Sequence, residues 1–312
     1  MSNFVVCFNA VLPLIIYVAV GMTVRKAGLI NGAEIKHFNR MLFAAFFPVL
    51  MFDNIYDADI KSAFDPRLML FAAAFIIVSA FVSCLAVTKI TKDPHKRGAM
   101  AQAIYRSNYV LMGLVITENI FGKDGLSVTT ALITVVVPLF NVTAVIVLET
   151  FRGGTVSVKH MIKNVVTNPL ILGAFAGIAA CLCGLALPGS LESVISGMAA
   201  CVTPVALVLL GASFDFSRIA AMKSEIAICV IGRLLVWPAI GLPAAYLLGF
   251  RGPAFVSLLV VIAASTSVSS FTMAEAMDSD SDLAGSAVMF STLFSCVTLF
   301  LWLYLFRCLG AY

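Results

Sequence analysis

Polar side chains interrupt an apolar stretch between residues 98 and 122. Arg106, Ser107 and Asn108 lie near its centre, and Gly113 follows five residues later. An arginine inside a membrane span costs about 3 kcal/mol or more unless it contacts protein, water or a partner charge. Two interpretations remain open. The stretch is either a structural polar cluster between packed helices or a helix opened at its midpoint, where freed groups bind a polar solute.

The composition predicts that this stretch belongs to a multi-pass membrane protein. Of the 312 residues, 61% are hydrophobic and 12% are charged, and the mean hydropathy is +1.05. A soluble domain does not need so much apolar surface. The net charge of +4 gives no indication of nucleic-acid binding. The eight cysteines lack CxxC spacing, so we expect no metal site and no cofactor, and the first apolar segment does not resemble a cleavable signal peptide.

Ten apolar segments are predicted to cross the membrane. In order they are 4–24, 36–56, 68–88, 98–121, 126–149, 168–187, 190–213, 225–249, 253–277 and 283–306. Of the 20 Lys and Arg residues, 13 lie by the links after odd-numbered spans, five lie on the other side and two lie within spans. The positive-inside rule therefore predicts both termini outside a plasma or inner membrane.

The two halves of the chain share a pattern of proline and glycine. An offset of 156 residues, half the chain, relates Pro13 to Pro169, Gly21 to Gly177, Gly28 to Gly184 and Pro48 to Pro204. Because each half has an odd number of spans, the second copy must enter the membrane from the opposite side. The predicted fold is thus an all-α membrane protein of two inverted five-helix repeats, 1–150 and 151–312, an arrangement typical of secondary transporters.

Span 9 is then the counterpart of span 4, and it also has a polar centre. Ser265, Thr266 and Ser267 lie in its middle, and a modest shift aligns Asn108 with Thr266. Hydroxyl groups can bond back to their own helix, so this run alone is weak evidence for a site. Two corresponding spans with polar centres nevertheless predict a substrate site where the repeats meet.

Five motifs in order resemble the auxin efflux carrier family of membrane transporters. They are NAVLPLIIYVAVGMTVRKAGLI in span 1, FFPVLMFDNI in span 2, RSNYVLMGL in span 4, NPLILGAFAGI in span 6 and TPVALVLLGASF in span 7. The resemblance covers essentially the whole chain. It implies a fold related to the bile-acid:sodium symporters, with spans 4 and 9 broken and crossing, spans 3–5 and 8–10 as a core, and spans 1, 2, 6 and 7 as a scaffold. It also implies small organic anions as substrates, such as auxin in plants and malate or malonate in bacterial relatives.

The sequence departs from the family pattern at the expected helix breaks. Val115 stands where the family usually has a proline, and the middle of span 9 also lacks one. Proline breaks a helix by removing a donor and by clashing with the preceding turn. The breaks must then depend on Gly113, Asn108 and the hydroxyl groups of span 9, or be less pronounced.

The proposed chemistry is carboxylate binding by a half-helix N-terminus. Asn108 and the N–H groups after it would bind the carboxylate, and Thr266 and Ser267 would complete the site. Arg106 would bind a second carboxylate, or alternatively form a structural ion pair with Glu275. The predicted substrate-binding residues are Asn108, Arg106, Gly113, Ser265, Thr266, Ser267 and Arg233.

Three further charged residues have open roles. Arg233 in span 8 is either a second substrate-binding base or a side chain that extends toward the cytoplasmic surface. Glu118 and Glu275, near the ends of spans 4 and 9, are candidates for proton coupling or ordinary interfacial charges. Coupling to Na⁺ remains an equal alternative, since hydroxyl and carbonyl oxygens are suitable ligands.

The sequence therefore predicts a carrier and not an enzyme. GxSxG, HExxH and GxxxxGK[ST] motifs do not occur, so a hydrolase, a metalloprotease and an ATP-driven pump are disfavoured. We expect a carrier or symporter of a small organic anion that works by alternating access in the lipid bilayer. The alternatives are a sodium-coupled carrier of a larger amphipathic acid and an anion channel. The scaffold spans are also a candidate homodimer interface.

Overall fold

The computed structural model describes residues 3–56, 65–152, 158–214 and 216–312. Within these ranges the chain is helical, and its only bridge of β type joins two single residues. The helices are α1 (Asn3–Lys26), α2 (Gly32–Met41), α3 (Phe47–Tyr56), α4 (Pro66–Ile90), α5 (Pro94–Tyr105), α6 (Tyr109–Phe121), α7 (Lys123–Phe151), α8 (Val158–Val166), α9 (Pro169–Leu182), α10 (Gly189–Ser213), α11 (Phe216–Ala221), α12 (Lys223–Ile231), α13 (Trp237–Leu247), α14 (Gly252–Ala263), α15 (Ser269–Ala276) and α16 (Ser281–Cys308). Two π-helical turns, Leu42–Phe46 and Gly232–Val236, join α2 to α3 and α12 to α13.

The helix lengths confirm a multi-pass helical protein. In the described ranges six helices are long and apolar enough to cross a membrane: Val5–Lys26, Pro66–Ile90, Gly125–Phe151, Gly189–Ser213, Lys223–Leu247 and Ser281–Cys308. Three shorter apolar helices are Tyr109–Phe121, Pro169–Leu182 and Gly252–Ala263. Each of the ten predicted segments coincides with one helix or with consecutive helices. The ten-span inverted repeat itself stays a prediction.

Several helix starts follow directly from the sequence. Asp65, Asp93 and Asn168 each precede a proline, and each side chain accepts a hydrogen bond from a backbone N–H of the first turn. The side chain satisfies an N–H that has no partner within the helix, while proline at the first position lacks an N–H that would otherwise need one. These pairs therefore fix where α4, α5 and α9 begin.

The second π turn depends on a proline and a tryptophan. Pro238 has no N–H to donate to the Leu234 carbonyl four residues earlier, and the indole N–H of Trp302 donates to that carbonyl at 3.0 Å instead. The N–H of Trp237 bonds to Gly232, five residues back. The Leu234 carbonyl thus stays hydrogen-bonded beside the proline because α16 supplies the missing donor.

Close backbone contacts at glycine hold α1 against α10. A Cβ atom built on Gly211 would lie 2.0 Å from the Val18 carbonyl oxygen, and one on Gly21 would lie 2.0 Å from that of Val208. Both contacts are far inside van der Waals distance, so neither position accommodates a side chain. Small residues of this kind permit close helix packing in a membrane.

We predict that Gly211→Ala destabilises the fold by about 1–3 kcal/mol, because α1 and α10 must move apart to admit the methyl group. Thermal unfolding of the detergent-solubilised protein measures this as a lower Tm. Gly197→Ala in the same helix is the control, since a Cβ there meets nothing within 4 Å. Equal Tm values for the two variants would contradict the close packing.

Candidate binding site at two helix breaks

Both predicted breaks are present although neither contains a proline. The chain leaves helical geometry at Arg106–Asn108, between α5 and α6, and again at Ala264–Val268, between α14 and α15. Arg106 and Ala264, which end the preceding helices, both have extended backbone angles. The breaks are therefore full interruptions and not bends.

The two breaks lie against each other and exchange backbone hydrogen bonds. Ser107 and Thr266 form an antiparallel bridge. The N–H of Asn108 donates to the Ser265 carbonyl at 2.8 Å, and the N–H of Ser267 donates to the Arg106 carbonyl at 3.3 Å. Each break thus satisfies backbone groups that the other has freed, which is a requirement away from water.

Two hydroxyl groups extend this exchange to the ends of the helices. Ser107 Oγ donates to the Val260 carbonyl of α14 at 3.2 Å, and Thr266 Oγ1 donates to the Ala103 carbonyl of α5 at 2.8 Å. Each break therefore caps the C-terminus of the other break's first half-helix. Thr266 is buried and engaged with backbone, so its side chain serves the break itself.

Arg233, in the π turn Gly232–Val236, contacts the same helix ends, the C-termini of α5 and α14. Its side chain is 0% exposed. Its Nε donates to the Ala264 carbonyl at 2.7 Å, while Nη1 and Nη2 donate to the carbonyls of Tyr105 and Val261, each at 2.8 Å. Arg233 does not line the cavity described next, and it neither extends to a surface nor points into that cavity.

Arg233 binds the C-terminal ends of α5 and α14, whereas a cavity of about 110 Å³ lies at the N-terminal ends of α6 and α15. It is lined by the beginnings of α6 and α15, together with Arg106, Asn108, Asn141 and Ser267. The first N–H groups of a helix have no partners within it and carry a partial positive charge. Neither N-terminus has a side-chain cap. The cavity therefore has two uncapped helix N-termini facing it.

Arg106 is the charged residue at this cavity, and it is held by neutral groups. It is 3% exposed, and it donates to Gln102 Oε1 at 3.1 Å, to Asn141 Oδ1 at 2.5 Å and to the sulfur of Met273. In the described part of the chain it contacts no carboxylate. Glu275 instead lies 3.9 Å from Lys36, so the structure does not contain the Arg106–Glu275 ion pair considered above.

Asn108 contributes an unsatisfied donor. The residue is 6% exposed, and its buried Nδ2 has no hydrogen-bond partner in the structure. Buried amide donors are nearly always paired, so an unpaired one beside a cavity marks a place where a ligand acceptor fits. Arg106 and Asn108 together give the cavity a net positive charge and a free donor.

Two other predicted residues lie outside the cavity lining. Gly113 packs beneath the Tyr109 ring, where a Cβ would be 3.0 Å from a ring carbon. Ser265 points to the Met112 sulfur at 3.8 Å. Gly113 and Ser265 therefore shape the surroundings of the breaks, whereas Arg106, Asn108 and Ser267 are the predicted residues that reach the cavity.

Asn141 is a cavity residue that sequence reasoning missed. It lies in α7, is 2% exposed and orients Arg106 through its Oδ1. Its signal was present in the sequence, since Asn141 is a lone amide three residues after Pro138 within the apolar run VVVPLFNV. A single amide gives no periodic pattern, and only the fold shows that it lies beside span 4.

The two predicted coupling residues differ in their surroundings. Glu118 is exposed near the end of α6. Glu275 lines a second cavity of about 530 Å³ with Arg25, Lys36 and Asn39. Asn39 is 1% exposed and both of its amide atoms lack partners. Glu275 thus lies in a polar chamber, while Glu118 has the surroundings of a surface residue.

Comparison with known protein families identifies the family of this chain. Residues 6–303 match the family described as "Membrane transport protein". The chain belongs to this family. The match confirms the resemblance to auxin efflux carriers and shows that this family member is a membrane transporter and not an enzyme.

Individual relatives agree with this assignment. An uncharacterized transporter of Methanothermobacter thermautotrophicus is 25% identical over 299 residues, which is 94% of this chain and 96% of that protein. A proposed malonate transporter of Rhizobium meliloti is 27% identical over 146 residues, 46% of either chain. The first match covers nearly all of this chain, and the second covers about half of it.

We predict that Thr266→Val lowers stability by about 1–3 kcal/mol, because the buried Ala103 carbonyl loses its donor. The KM for the transported solute should change little, since Thr266 does not line the cavity. Thermal unfolding and uptake kinetics measure the two effects separately. Thr298→Val is the control, a half-buried threonine whose hydroxyl bonds within its own helix. An unchanged Tm with a large rise in KM would instead place Thr266 on the substrate.

Proposed function

We propose that this membrane transport protein is a secondary carrier of a small organic anion, a carboxylate or dicarboxylate such as malate or malonate. Two groups carry the proposal. Arg106 contacts no carboxylate in the described ranges, and the Nδ2 of Asn108 has no hydrogen-bond partner. Both groups border one cavity. A buried cation without a counter-charge is costly, and an anionic ligand supplies that charge.

The helix N-termini strengthen this preference for anions. The N-termini of α6 and α15 border the cavity and have no side-chain cap, and carboxylates bind readily at such ends. In α15 the N–H groups of Ser270 and Phe271 already donate to the Ser267 and Val268 carbonyls, so α6 offers the freer N-terminus. Asn108 with the α6 N-terminus would bind one carboxylate, and Arg106 would bind a second. Ser267 lies beside Ser269 at 2.9 Å and offers a further hydroxyl.

A small dicarboxylate fits better than the larger acids. A cavity of about 110 Å³ favours a molecule of malonate or malate size over an auxin-like or bile-acid-like substrate. The name of the Rhizobium relative points the same way. A channel is disfavoured because Arg106 is the one charged side chain in the described lining of the cavity, whereas a channel is typically lined by a ring of like charges.

The architecture proposed for this function is ten spans in two inverted repeats. Its support is the reciprocal geometry of the breaks, since Ser107 caps α14 and Thr266 caps α5. Reciprocal contacts of this kind are what a two-fold relation between halves produces. In this arrangement spans 3–5 and 8–10 form a core that moves against spans 1, 2, 6 and 7. Both termini lie outside the cell membrane, and the scaffold spans are available for a homodimer.

We predict that Asn108→Ala raises the KM for the anion about tenfold or more, because a charged acceptor loses a donor. The assay is uptake of labelled malate, malonate and an aromatic carboxylate into proteoliposomes under imposed H⁺ or Na⁺ gradients. Asn119→Ala is the matched control, since Asn119 lies on the same helix and bonds to its own backbone. If Asn108→Ala has the native KM, the substrate does not bind at Asn108 in span 4. If the native protein takes up none of these anions, the proposed substrate class is wrong.

We predict that Glu275→Gln abolishes accumulation driven by an H⁺ gradient while leaving anion exchange across the membrane intact. The reason is that Glu275 is a carboxylate in a polar chamber with Arg25 and Lys36, and carboxylates in such places form the proton relays of transporters. Glu118→Gln is the control, and it should couple as the native protein does. Accumulation that follows a Na⁺ gradient in all three proteins would show that sodium is the coupling ion and that Glu275 is not a proton carrier.

A further inference from the structure

Arg233 lies where two helix C-termini meet. Its three donor nitrogens bind the carbonyls of Tyr105, Val261 and Ala264 at 2.7–2.8 Å. Tyr105 ends α5, and Ala264 follows the last residue of α14. One side chain therefore caps both half-helices that lead into the breaks, because each of the three guanidinium nitrogens donates to a different carbonyl.

The position of Arg233 is built into its own helix. Gly232 precedes it in the π turn, and a Cβ there would lie 3.1 Å from Ile104 of α5. The absence of a side chain lets this turn lie close to α5. The salt bridges among the described residues do not include Arg233. Its charge is therefore balanced by the partial negative charges of the helix ends.

The electrostatic consequence concerns the cavity on the far side of the breaks. A broken helix has a negative C-terminus as well as a positive N-terminus, and here the two ends are three to five residues apart. Uncompensated C-termini of α5 and α14 would repel an anion bound at the N-termini of α6 and α15. When Arg233 neutralises these C-termini, the positive N-termini of α6 and α15 determine the electrostatic potential in the cavity.

We propose that Arg233 is a positioning residue for anion binding. It neutralises the C-termini of α5 and α14, and it keeps both breaks open in place of proline. This inference rests on the proposed function, because it assumes that the solute is an anion. It assigns to Arg233 a role through the helix ends and not through contact with the substrate.

The experiment compares Arg233→Lys and Arg233→Gln, reconstituted and assayed for the uptake of the anion that the native protein carries. Arg251→Gln is the matched control. Arg251 also donates to a carbonyl near a helix C-terminus, that of Tyr246 in α13, and to the carbonyl of Phe250, but it does not line the cavity. Folding is followed by Tm and by gel filtration, so that a change in KM is read only from folded protein.

The expected result is a KM raised about tenfold in Arg233→Gln, the order that two uncompensated buried helix ends produce, and a KM within about threefold of native in Arg233→Lys. Arg251→Gln should keep the native KM. Lysine can lose its proton in a buried site, whereas arginine cannot, so the KM of Arg233→Lys relative to native should rise between about pH 7 and about pH 9. A purely structural arginine would show no such rise, and this readout remains if Arg233→Gln does not fold.

Other outcomes overturn the inference in distinguishable ways. If native protein carries an anion and Arg233→Gln keeps its KM, the positioning role is wrong and the proposed function stands. The positioning role is also wrong if the KM of Arg233→Lys, divided by that of the native protein, stays constant with pH. If native protein carries only a neutral or cationic solute, the proposed function fails, and this inference fails with it.

Discussion

The structure depends on one constraint, the need of every backbone N–H and carbonyl to find a partner where water is scarce. Opening a helix in an apolar protein frees several such groups at once, and each unpaired group is costly. Here two openings are placed against each other, so that the groups freed by one satisfy those freed by the other. A single break in this chain would leave carbonyls unpaired, so the two breaks are stable only together.

The sequence was informative about where the two helix breaks lie and less informative about which side chains face the cavity beside them. Hydropathy located all ten apolar segments, and polar residues in two of them identified Arg106, Asn108 and Ser267 as cavity residues. Thr266 and Arg233 are equally conspicuous polar residues in apolar segments, yet their side chains donate to backbone carbonyls and do not face the cavity. A buried polar side chain serves either a ligand or the backbone, and the two uses give the same pattern in a sequence. Only the direction of the side chain separates them.

The missing prolines show a second limit of sequence reasoning. Proline is a local signal, visible in one residue, and without it the breaks were expected to depend on nearby glycine and hydroxyl groups. The structure uses the hydroxyls but adds Arg233, which is about 125 residues from the first break in sequence. A long-range contact of this kind has no local pattern. The same holds for Asn141, which acts on Arg106 from a neighbouring helix.

The π turn at Gly232–Val236 has a consequence for comparing this chain with its relatives. A π turn holds one residue more than the α-helical turn it replaces, and one residue corresponds to a rotation of about 100° around a helix axis. A relative that lacks this extra residue would present a different face from this point onward. Sequence alignments of this region should therefore place a one-residue gap within the turn and not at the nearest loop. Such a gap would separate relatives whose α13 presents the same face as in this chain from relatives whose α13 is turned away.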